Sequence, residues 1–338
     1  MAGRAVIVTP LSGPLARFGV PGAAALELWA EQSGVALEVL DSQPSTAAAI
    51  SAAEAGQPDV VFGPYGSGPA VVAAQTGALP LWNHGGATNR LTWPRYPHVV
   101  NVPSAAYSYL GAVLETLVGK GLPAGSQVAF LHADTGFGRE VAAGTRAAAQ
   151  RHGLVLQTTT FRPGAVTDVL TQVAAADVLV SAGSFDDDVT VAQWSTQRRW
   201  LAVGLVAAGV DELSDVLGER VEGFYGPCQW LHDDAHAAAD GPDAEWFVRR
   251  YRDKTGTNPP YPAAAAFAAG VIWRRCVLDA GTIAAAPVLA AARGLDTTTL
   301  FGRFRVDPLT GVQTGHQIRV VQWRGGRRVA VDQALHRM

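Results

Sequence analysis

Two short loops carry the residues whose types and spacing most clearly suggest chemistry. Residues 63–68 (GPYGSG) follow an apolar run, and residues 85–88 (GGAT) follow a second apolar run further along the chain. Each loop combines glycines, which let a ligand approach the backbone, with a hydroxyl side chain, Ser67 or Thr88. If neighbouring strands of a parallel sheet carry both loops, the two hydroxyls converge on one anion at the carboxyl edge of the sheet. The pattern therefore predicts a site for a small carboxylate.

A helix that starts at the first loop would strengthen such a site. Its unpaired N–H groups and the positive end of its dipole attract an anion, and Pro69 suits the first helical position. Glycine after a strand is also ordinary turn chemistry, so either loop alone is weak support for a site. The glycine spacing fits no dinucleotide fingerprint and the chain has no phosphate-loop sequence, so no cofactor is predicted.

The composition is that of a globular protein with room for two domains. The chain has 338 residues, of which 48% are hydrophobic and 16% are charged, and its net charge is −3. This length exceeds what one hydrophobic core usually organises, which predicts two domains. The small negative charge leaves no electrostatic footprint for nucleic acid, which is therefore not an expected partner.

Neither the cysteines nor the amino terminus settles the compartment. Cys228 and Cys276 are the only cysteines, and two buried thiols are favoured over a disulfide between them, although a bridge stays possible. The first predicted strand begins almost at Met1 and leaves no room for a signal peptide. We therefore expect either that a targeting segment has been removed or that the protein is cytosolic.

Extended and helical patterns alternate along most of the chain, which is typical of parallel sheets covered by helices. In a first lobe the pattern predicts strands at 5–9, 36–41, 60–62, 79–82 and an extended run at 99–103, with helices at 22–32, 46–55 and 69–75. In a second lobe it predicts strands at 127–132, 155–160, 178–181, 201–205 and 223–225, with helices at 106–118, 138–151, 166–175, 187–197 and 212–217. The remaining segment is predicted to hold helices at 244–254, 262–278 and 287–292, and to finish like a hairpin with extended runs at 301–306, 317–323 and 328–332.

Several short motifs, taken in order, resemble the type I periplasmic binding proteins, specifically the branched-chain amino-acid-binding-like receptors of ABC importers. Each motif alone is weak, but their order and spacing are specific and cover almost the whole chain. The motifs are residues 10–14 (PLSGP), 62–64 (FGP), 86–89 (GATN), 134–138 (DTGFG), 301–304 (FGRF) and 320–323 (VVQW).

The resemblance implies an α/β fold of two Rossmann-like lobes joined by a three-segment hinge, with a ligand captured as the lobes close. The crossings are expected near residues 102–104, 227–229 and 303–306. Lobe 1 would then consist of residues 1–102 and 229–303, and lobe 2 of residues 103–228 and 304–338.

The resemblance also implies a set of ligand-binding residues. The ligand carboxylate is expected on the hydroxyls of Ser67 and Thr88 and on the backbone N–H groups of Ser67 and Gly86. Phe137 is expected to place its ring over the ligand, and aromatic side chains in the set suit an apolar or aromatic ligand body. The full expected set is Tyr65, Gly66, Ser67, Trp82, Gly86, Ala87, Thr88, Phe137, Ser184, Phe185 and Asp186.

One departure from the family pattern bears on the ligand. Amino-acid-binding members carry an acidic side chain that holds the ligand ammonium, and here residues 206–209 (VAAG) stand at that position. An unpaired ammonium in a closed site costs several kcal/mol. An ordinary α-amino acid is therefore not the expected ligand unless Asp186 or Asp211 supplies the missing charge.

Several of these residues also have purely structural interpretations. Residues 186–188 (DDD) suit the capping of a helix start, and Phe137 suits packing of the helix that it precedes. His84 either lines the site or pairs with backbone. His232 and His236 have the spacing of metal ligands on a helix, but their polar surroundings favour a solvated loop, so no metal is predicted.

The sequence therefore predicts an extracytoplasmic solute receptor rather than an enzyme. Its expected partners are a small carboxylate and the membrane permease of an ABC importer, and its expected place is the periplasm or the cell surface. The alternative is a cytosolic sensor of amide-type molecules built on the same fold. A hydrolase or a dehydrogenase would need a nucleophile motif or a cofactor motif, and the sequence has neither in recognisable form.

Overall fold

A computed structural model describes residues 3–233 and 237–331. The chain divides into two compact units, which are Met1–Ala105 with Trp230–Gln317, and Ala106–Gln229 with Ile318–Met338. The chain thus crosses between the units three times.

The strands and helices have the following bounds. The strands are β1 (Arg4–Thr9), β2 (Ala36–Asp41), β3 (Val60–Phe62), β4 (Leu81–Asn83), β5 (Val99–Asn101), β6 (Gln127–Ala133), β7 (Val155–Phe161), β8 (Val178–Ala182), β9 (Ala202–Leu205), β10 (Tyr225–Cys228), β11 (Asp296–Thr299), β12 (Gly302–Arg305), β13 (Arg319–Arg324) and β14 (Arg327–Ala330). The α-helices are α1 (Ala16–Ser33), α2 (Thr46–Ala55), α3 (Ser67–Thr76), α4 (Tyr109–Gly119), α5 (Gly136–Arg151), α6 (Phe185–Ser195), α7 (Glu212–Leu217), α8 (Ala244–Thr255), α9 (Tyr261–Ala280) and α10 (Ala285–Gly294).

The first unit is built on a parallel sheet with the strand order β2-β1-β3-β4-β5. Successive residues of a strand point to opposite faces, so each strand contributes to two cores. On one face Ile7 and Phe62 pack with Trp29 of α1 and Trp273 of α9. The opposite face packs against α2 and α3. The carboxyl ends of β3 and β4 are therefore neighbours at one edge of this sheet.

The α1 and α9 helices pack closely because small residues line their contact. A Cβ atom on Gly270 of α9 would lie 2.4 Å from the ring of Trp29, so only glycine fits there. The sequence pattern predicted that α1 begins at residue 22, after Pro21, but the helix begins at Ala16. Pro21 lies inside this helix and has no N–H to donate to the carbonyl four residues earlier.

The second unit contains a sheet with the strand order β14-β13-β10-β9-β8-β6-β7. The strands from β10 to β7 are parallel, whereas β13 is antiparallel to β10 and β14 is antiparallel to β13. The fold is thus α/β with parallel sheets in both units, as the sequence predicts.

Two local predictions are wrong, and one strand was missed. Residues 166–175 do not form an α-helix but two short 3₁₀ turns, Val166–Asp168 and Leu170–Gln172. The segment 223–225 is replaced by β10 at Tyr225–Cys228. The hairpin-like pattern near the end of the chain is confirmed in part, because Val306 bridges antiparallel to Gln313 across the turn at residues 307–311 and β13 pairs antiparallel with β14. The pattern missed β11, which pairs with β12.

The third predicted crossing also needs correction. Residues 304–317 were assigned to lobe 2, but they belong to the first unit. The Asn101 amide donates to the Gly311 carbonyl at 3.1 Å, and the Gln313 amide donates to the Val102 carbonyl at 3.0 Å. These buried hydrogen bonds fasten the segment to the end of β5, and the crossing follows at residue 317.

Among the described residues, no single helix is long and apolar enough to cross a membrane. Only α9 and α10 taken together would meet that test by length and composition, and they are bent by 107° relative to each other.

Candidate functional site

The first loop turns sharply from β3 into α3, and two glycines make the turn possible. Gly63 has a φ of +103° and Gly66 has a φ of +101°, a region that L side chains rarely adopt. A Cβ atom on Gly63 would lie 2.2 Å from the Val8 carbonyl oxygen. The loop therefore delivers Ser67 to the amino end of α3 at the carboxyl edge of the sheet.

The two loops are joined directly by hydrogen bonds. The Ser67 hydroxyl donates to the Ala87 carbonyl at 3.2 Å, and the Gly66 N–H donates to the Gly85 carbonyl at 3.0 Å. Ser67 and Thr88 thus belong to segments that contact each other, although they are distant in sequence. Thr88 is nearly buried, and its hydroxyl oxygen accepts from the Arg90 N–H at 3.2 Å.

Asn83, which the sequence did not single out, organises the second loop. Its side-chain oxygen accepts from the Gly86 N–H at 2.7 Å, and its side-chain nitrogen donates to the Gly86 carbonyl at 2.8 Å. The N–H of Gly86 was expected to donate to the ligand carboxylate. That expectation needs correction, because the donor is already bound to Asn83.

The amino end of α3 keeps backbone donors for an anion. No side chain caps this end among the residues that the structure describes, and Pro69 has no N–H of its own. The N–H groups of Ser67 and Gly68 lie in the first turn, where helical N–H groups lack partners within the helix. The positive end of the helix dipole adds to the attraction of a carboxylate.

Aromatic side chains cluster beside the first loop. The rings of Tyr65 and Phe18 stack at 4.9 Å, and the Tyr65 hydroxyl is hydrogen-bonded to the Tyr261 hydroxyl. Phe18 and Tyr261 were not among the predicted site residues, because each lies at the start of a helix with no motif of its own. Trp82 is fully buried in the core, on the face of the sheet that packs against α1 and α9. Its predicted ligand contact therefore needs correction.

The carboxyl edge of the second sheet holds the remaining predicted residues. Phe137 lies in the first turn of α5, where the Thr135 hydroxyl accepts from the Gly138 N–H at 2.9 Å. The Phe137 ring packs edge-on against Tyr109 at 5.9 Å and is partly buried. Phe137 thus lies inside α5 rather than before it and packs against α4, and its ligand contact stays a prediction.

Ser184 begins α6 as part of a capping box. The Asp187 N–H donates to the Ser184 hydroxyl at 3.1 Å, while Asp187 accepts from the Ser184 N–H at 3.1 Å and from its hydroxyl at 2.7 Å. Phe185 packs partly against the core, and Asp186 is exposed. Asp187 thus caps the helix, as the structural interpretation of the acidic run expects.

Asp188 is a buried carboxylate that joins two strand ends. It accepts from the Ser181 hydroxyl at 2.8 Å, from the Gly183 N–H at 3.1 Å and from the Ala207 N–H at 2.9 Å. Burial raises the pKa of Asp188 to about 7, although the three donors act in the opposite direction. All three donors come from the protein itself, so the carboxylate serves the structure of this edge.

The position of the missing family acid is a 3₁₀ turn, Val206–Gly209, whose Ala207 and Ala208 are buried. Asp211, one of the two possible substitutes, forms a two-armed ion pair with Arg328, with Nε to Oδ1 at 2.6 Å and Nη2 to Oδ2 at 2.5 Å. Asp211 is therefore engaged, and Asp186 is the remaining candidate for an ammonium partner.

No group of three or more His, Cys, Asp or Glu side chains within residues 3–233 and 237–331 is arranged to hold a metal ion. The Nε2 atom of His232 lies 2.9 Å from an Asp233 carboxylate oxygen, and His236 lies outside the described residues. Cys228 and Cys276 are both buried and do not form a disulfide.

The family model for periplasmic binding proteins matches residues 4–327, and the chain belongs to this family. No curated protein sequence matches the chain significantly.

Solved structures with the same fold cover nearly the whole chain. The leucine binding protein LivK from Thermotoga maritima superposes with a TM-score of 0.83 at 17% identity, covering 97% of each chain. The branched-chain amino acid transporter substrate binding protein LivJ from Streptococcus pneumoniae, solved with isoleucine, gives 0.81 at 17% identity and covers 98% of this chain and 99% of its own. An ABC transporter solute binding protein from R. palustris, solved with benzoate, gives 0.79 at 15% identity, with 98% and 95% covered.

Removal of the Asp188 carboxylate should destabilise the second unit. We expect Asp188→Asn to lower the free energy of unfolding by about 3 kcal/mol, because two backbone N–H groups and a hydroxyl lose a carboxyl acceptor in the core. The matched variant Asp215→Asn changes an exposed carboxylate of α7 in the same unit and should shift stability by less than about 0.5 kcal/mol. Urea denaturation of the three proteins measures both changes, and equal stability of all three would show that Asp188 does not hold this edge together.

Proposed function

We propose that the protein is the solute receptor of an ABC importer and that it binds a small organic carboxylate by hinge closure. The observation that carries the proposal is the joined pair of loops at the carboxyl edge of the first sheet. There Ser67, Thr88 and the amino end of α3 lie on segments that hydrogen-bond to each other. Membership of the periplasmic binding protein family supports a binding role at this edge.

The carboxylate is held, in this proposal, by the first-turn N–H groups of α3, by the Thr88 hydroxyl, and by the Ser67 hydroxyl once its proton turns from the Ala87 carbonyl to the ligand. Tyr65 and Phe18 provide an aromatic wall beside the loop, which suits an apolar or aromatic ligand body. The neighbour solved with benzoate and the neighbour solved with isoleucine show that this fold accepts both ligand classes. The roles of Phe137, Ser184 and Phe185 in the second unit stay predictions.

We infer the ligand class from the acidic side chains that the protein lacks or already uses for its own structure. The acid that holds an ammonium in amino-acid-binding members is absent at residues 206–209, and Asp187, Asp188 and Asp211 are each engaged by protein groups. An α-ammonium buried without a partner costs several kcal/mol. We therefore infer that the preferred ligand is a carboxylate without an α-amino group.

The partner and the compartment follow from the same proposal. A receptor of this kind delivers its ligand to a membrane permease, so we place the protein in the periplasm or at the cell surface. The cytosolic sensor alternative is not favoured, because the neighbours named above are binding proteins of transporters.

The carboxylate-binding role predicts that Ser67→Ala combined with Thr88→Val weakens binding of an acid ligand roughly 100-fold. Two hydrogen bonds to a charged group are removed, each worth about 1.5 kcal/mol or more. Isothermal titration calorimetry with benzoate and with 4-methylpentanoate measures the change. The control pair is Ser214→Ala with Thr196→Val, whose hydroxyls bond only to carbonyls of nearby turns in the second unit. Unchanged affinity in the test pair would place the ligand elsewhere.

The charge argument predicts discrimination between two ligands of equal carbon skeleton. We expect 4-methylpentanoate to bind at least tenfold more tightly than leucine, which differs from it by the α-ammonium group. A thermal-shift screen followed by calorimetry measures both affinities. Tight leucine binding that is lost in Asp186→Asn would show instead that Asp186 supplies the missing charge, and the inferred ligand class would be wrong.

A further inference from the structure

His84 is completely buried at the end of β4, directly before the loop of residues 85–88. Neither of its ring nitrogens has a hydrogen-bond partner among the residues that the structure describes. Buried polar side chains in proteins are nearly always hydrogen-bonded. An unpartnered imidazole beside a ligand-binding loop is therefore a feature that needs a physical account.

The groups beside the ring are small and uncharged. The Cε1 atom of His84 lies 3.4 Å from the position that a Cβ atom on Gly22 would occupy, and its Nε2 atom lies 3.4 Å from the corresponding position on Gly63. The Cβ atom of Ala266 and the carbonyl of Pro262 border the same space beside Gly22. The ring is thus wedged between the sheet edge, α1 and the start of α9.

Within residues 3–233 and 237–331, no charged group favours a proton on this ring. Burial lowers the pKa of His84 to about 4, and the backbone of His84 itself is the only group that acts in the opposite direction. The titratable side chains of the elements packed against it are Arg17, Glu27 and Glu31 on α1, Tyr261, Arg274, Arg275, Cys276 and Asp279 on α9, and Tyr65 after β3. None of them contributes to the shift, and Tyr65 and Tyr261 are hydrogen-bonded to each other.

We propose that His84 makes the loop of residues 85–88 sensitive to acid, so that a proton on its ring drives the side chain out of its buried, uncharged pocket and opens the loop. Opening breaks the bonds between Gly86 and Asn83 and between Ala87 and Ser67. The release of a bound carboxylate that follows rests on the proposed function. The opening of the loop itself does not.

The direction and size of the effect follow from linkage between proton binding and loop opening. The closed state binds the proton with a pKa of about 4, whereas an open, solvated His84 has the ordinary value of 6.5. The open state therefore binds more protons than the closed state below pH 6.5. The fraction of molecules with a closed loop falls as the pH drops through that value. These values favour opening roughly tenfold more at pH 5.5 than at pH 7.5.

Hydrogen exchange of the backbone tests the opening without any ligand. In the wild-type protein, the protection of peptides that cover residues 83–91 should fall about tenfold between pH 7.5 and pH 5.5, after correction for the intrinsic exchange rate. In His84→Phe and His84→Gln the fall should be less than twofold. The control is His98→Gln, because His98 also has a pKa lowered by burial but precedes β5 rather than the loop. That control should keep the wild-type response.

A second measurement tests the consequence for binding, with benzoate as the probe. Because affinity scales with the fraction of closed loops, wild-type affinity should fall by at most about tenfold from pH 7.5 to pH 5.5, and affinity in a folded His84 variant should change less than in the wild type. Protection in the wild-type protein that is unchanged between the two pH values would overturn the proposal, and this result requires no variant to fold. Equal loss of protection in wild type and variants would overturn it as well. Failure of benzoate and 4-methylpentanoate to bind at pH 7.5 would count against the proposed function alone.

Discussion

The buried side-chain amide of Asn83 is the interaction on which the candidate site depends. It is bonded to both the N–H and the carbonyl of Gly86, and it also donates to the Asn101 side chain at 2.9 Å. Asn101 in turn donates to the carbonyls of Leu91 and Gly311. One network of buried amides therefore holds the second loop, the end of β5 and the segment before the third crossing in a single arrangement. Loss of any member leaves buried donors and acceptors without partners, which costs about 1 to 3 kcal/mol for each group.

This arrangement explains how two unremarkable glycine loops become a possible anion site. The network fixes the position of Ala87, whose carbonyl accepts from Ser67, and Ser67 begins the uncapped helix α3. The first-turn N–H groups of α3 remain as backbone donors for an anion, whereas the N–H of Gly86 donates to Asn83 and holds the loop. In the second unit, by contrast, acidic side chains bond to groups of the protein itself. Its acidic run at residues 186–188 is largely engaged in capping α6 and in joining strand ends.

Much of the fold could be predicted from the sequence, because periodicity and capping act locally. The bounds of α2 were predicted exactly, since Ser45 caps an alanine-rich run that ends at a glycine. The strands β2 and β3 were also predicted exactly, because apolar runs bounded by polar and glycine residues identify them. The predicted helix at residues 166–175 is wrong because the apolar residues there have helical spacing, whereas the backbone forms two 3₁₀ turns.

The site was predicted less completely, because its decisive contacts are tertiary. The pattern located the two loops, but it could not show that Asn83 takes the N–H of Gly86. Nor could it show that Trp82 faces the core, or that Phe18 and Tyr261 flank Tyr65. Which strand face is covered by which helix depends on strand order and on helices far away in the sequence, and no local pattern encodes that.

A crystal structure of the protein grown with 4-methylpentanoate tests the central claim most directly. The account predicts density for the acid at the carboxyl edge of the first sheet, with its carboxylate about 2.7–3.2 Å from the Ser67 hydroxyl and from the first-turn N–H groups of α3. An acid bound at any other place, with only solvent at the amino end of α3, would contradict it.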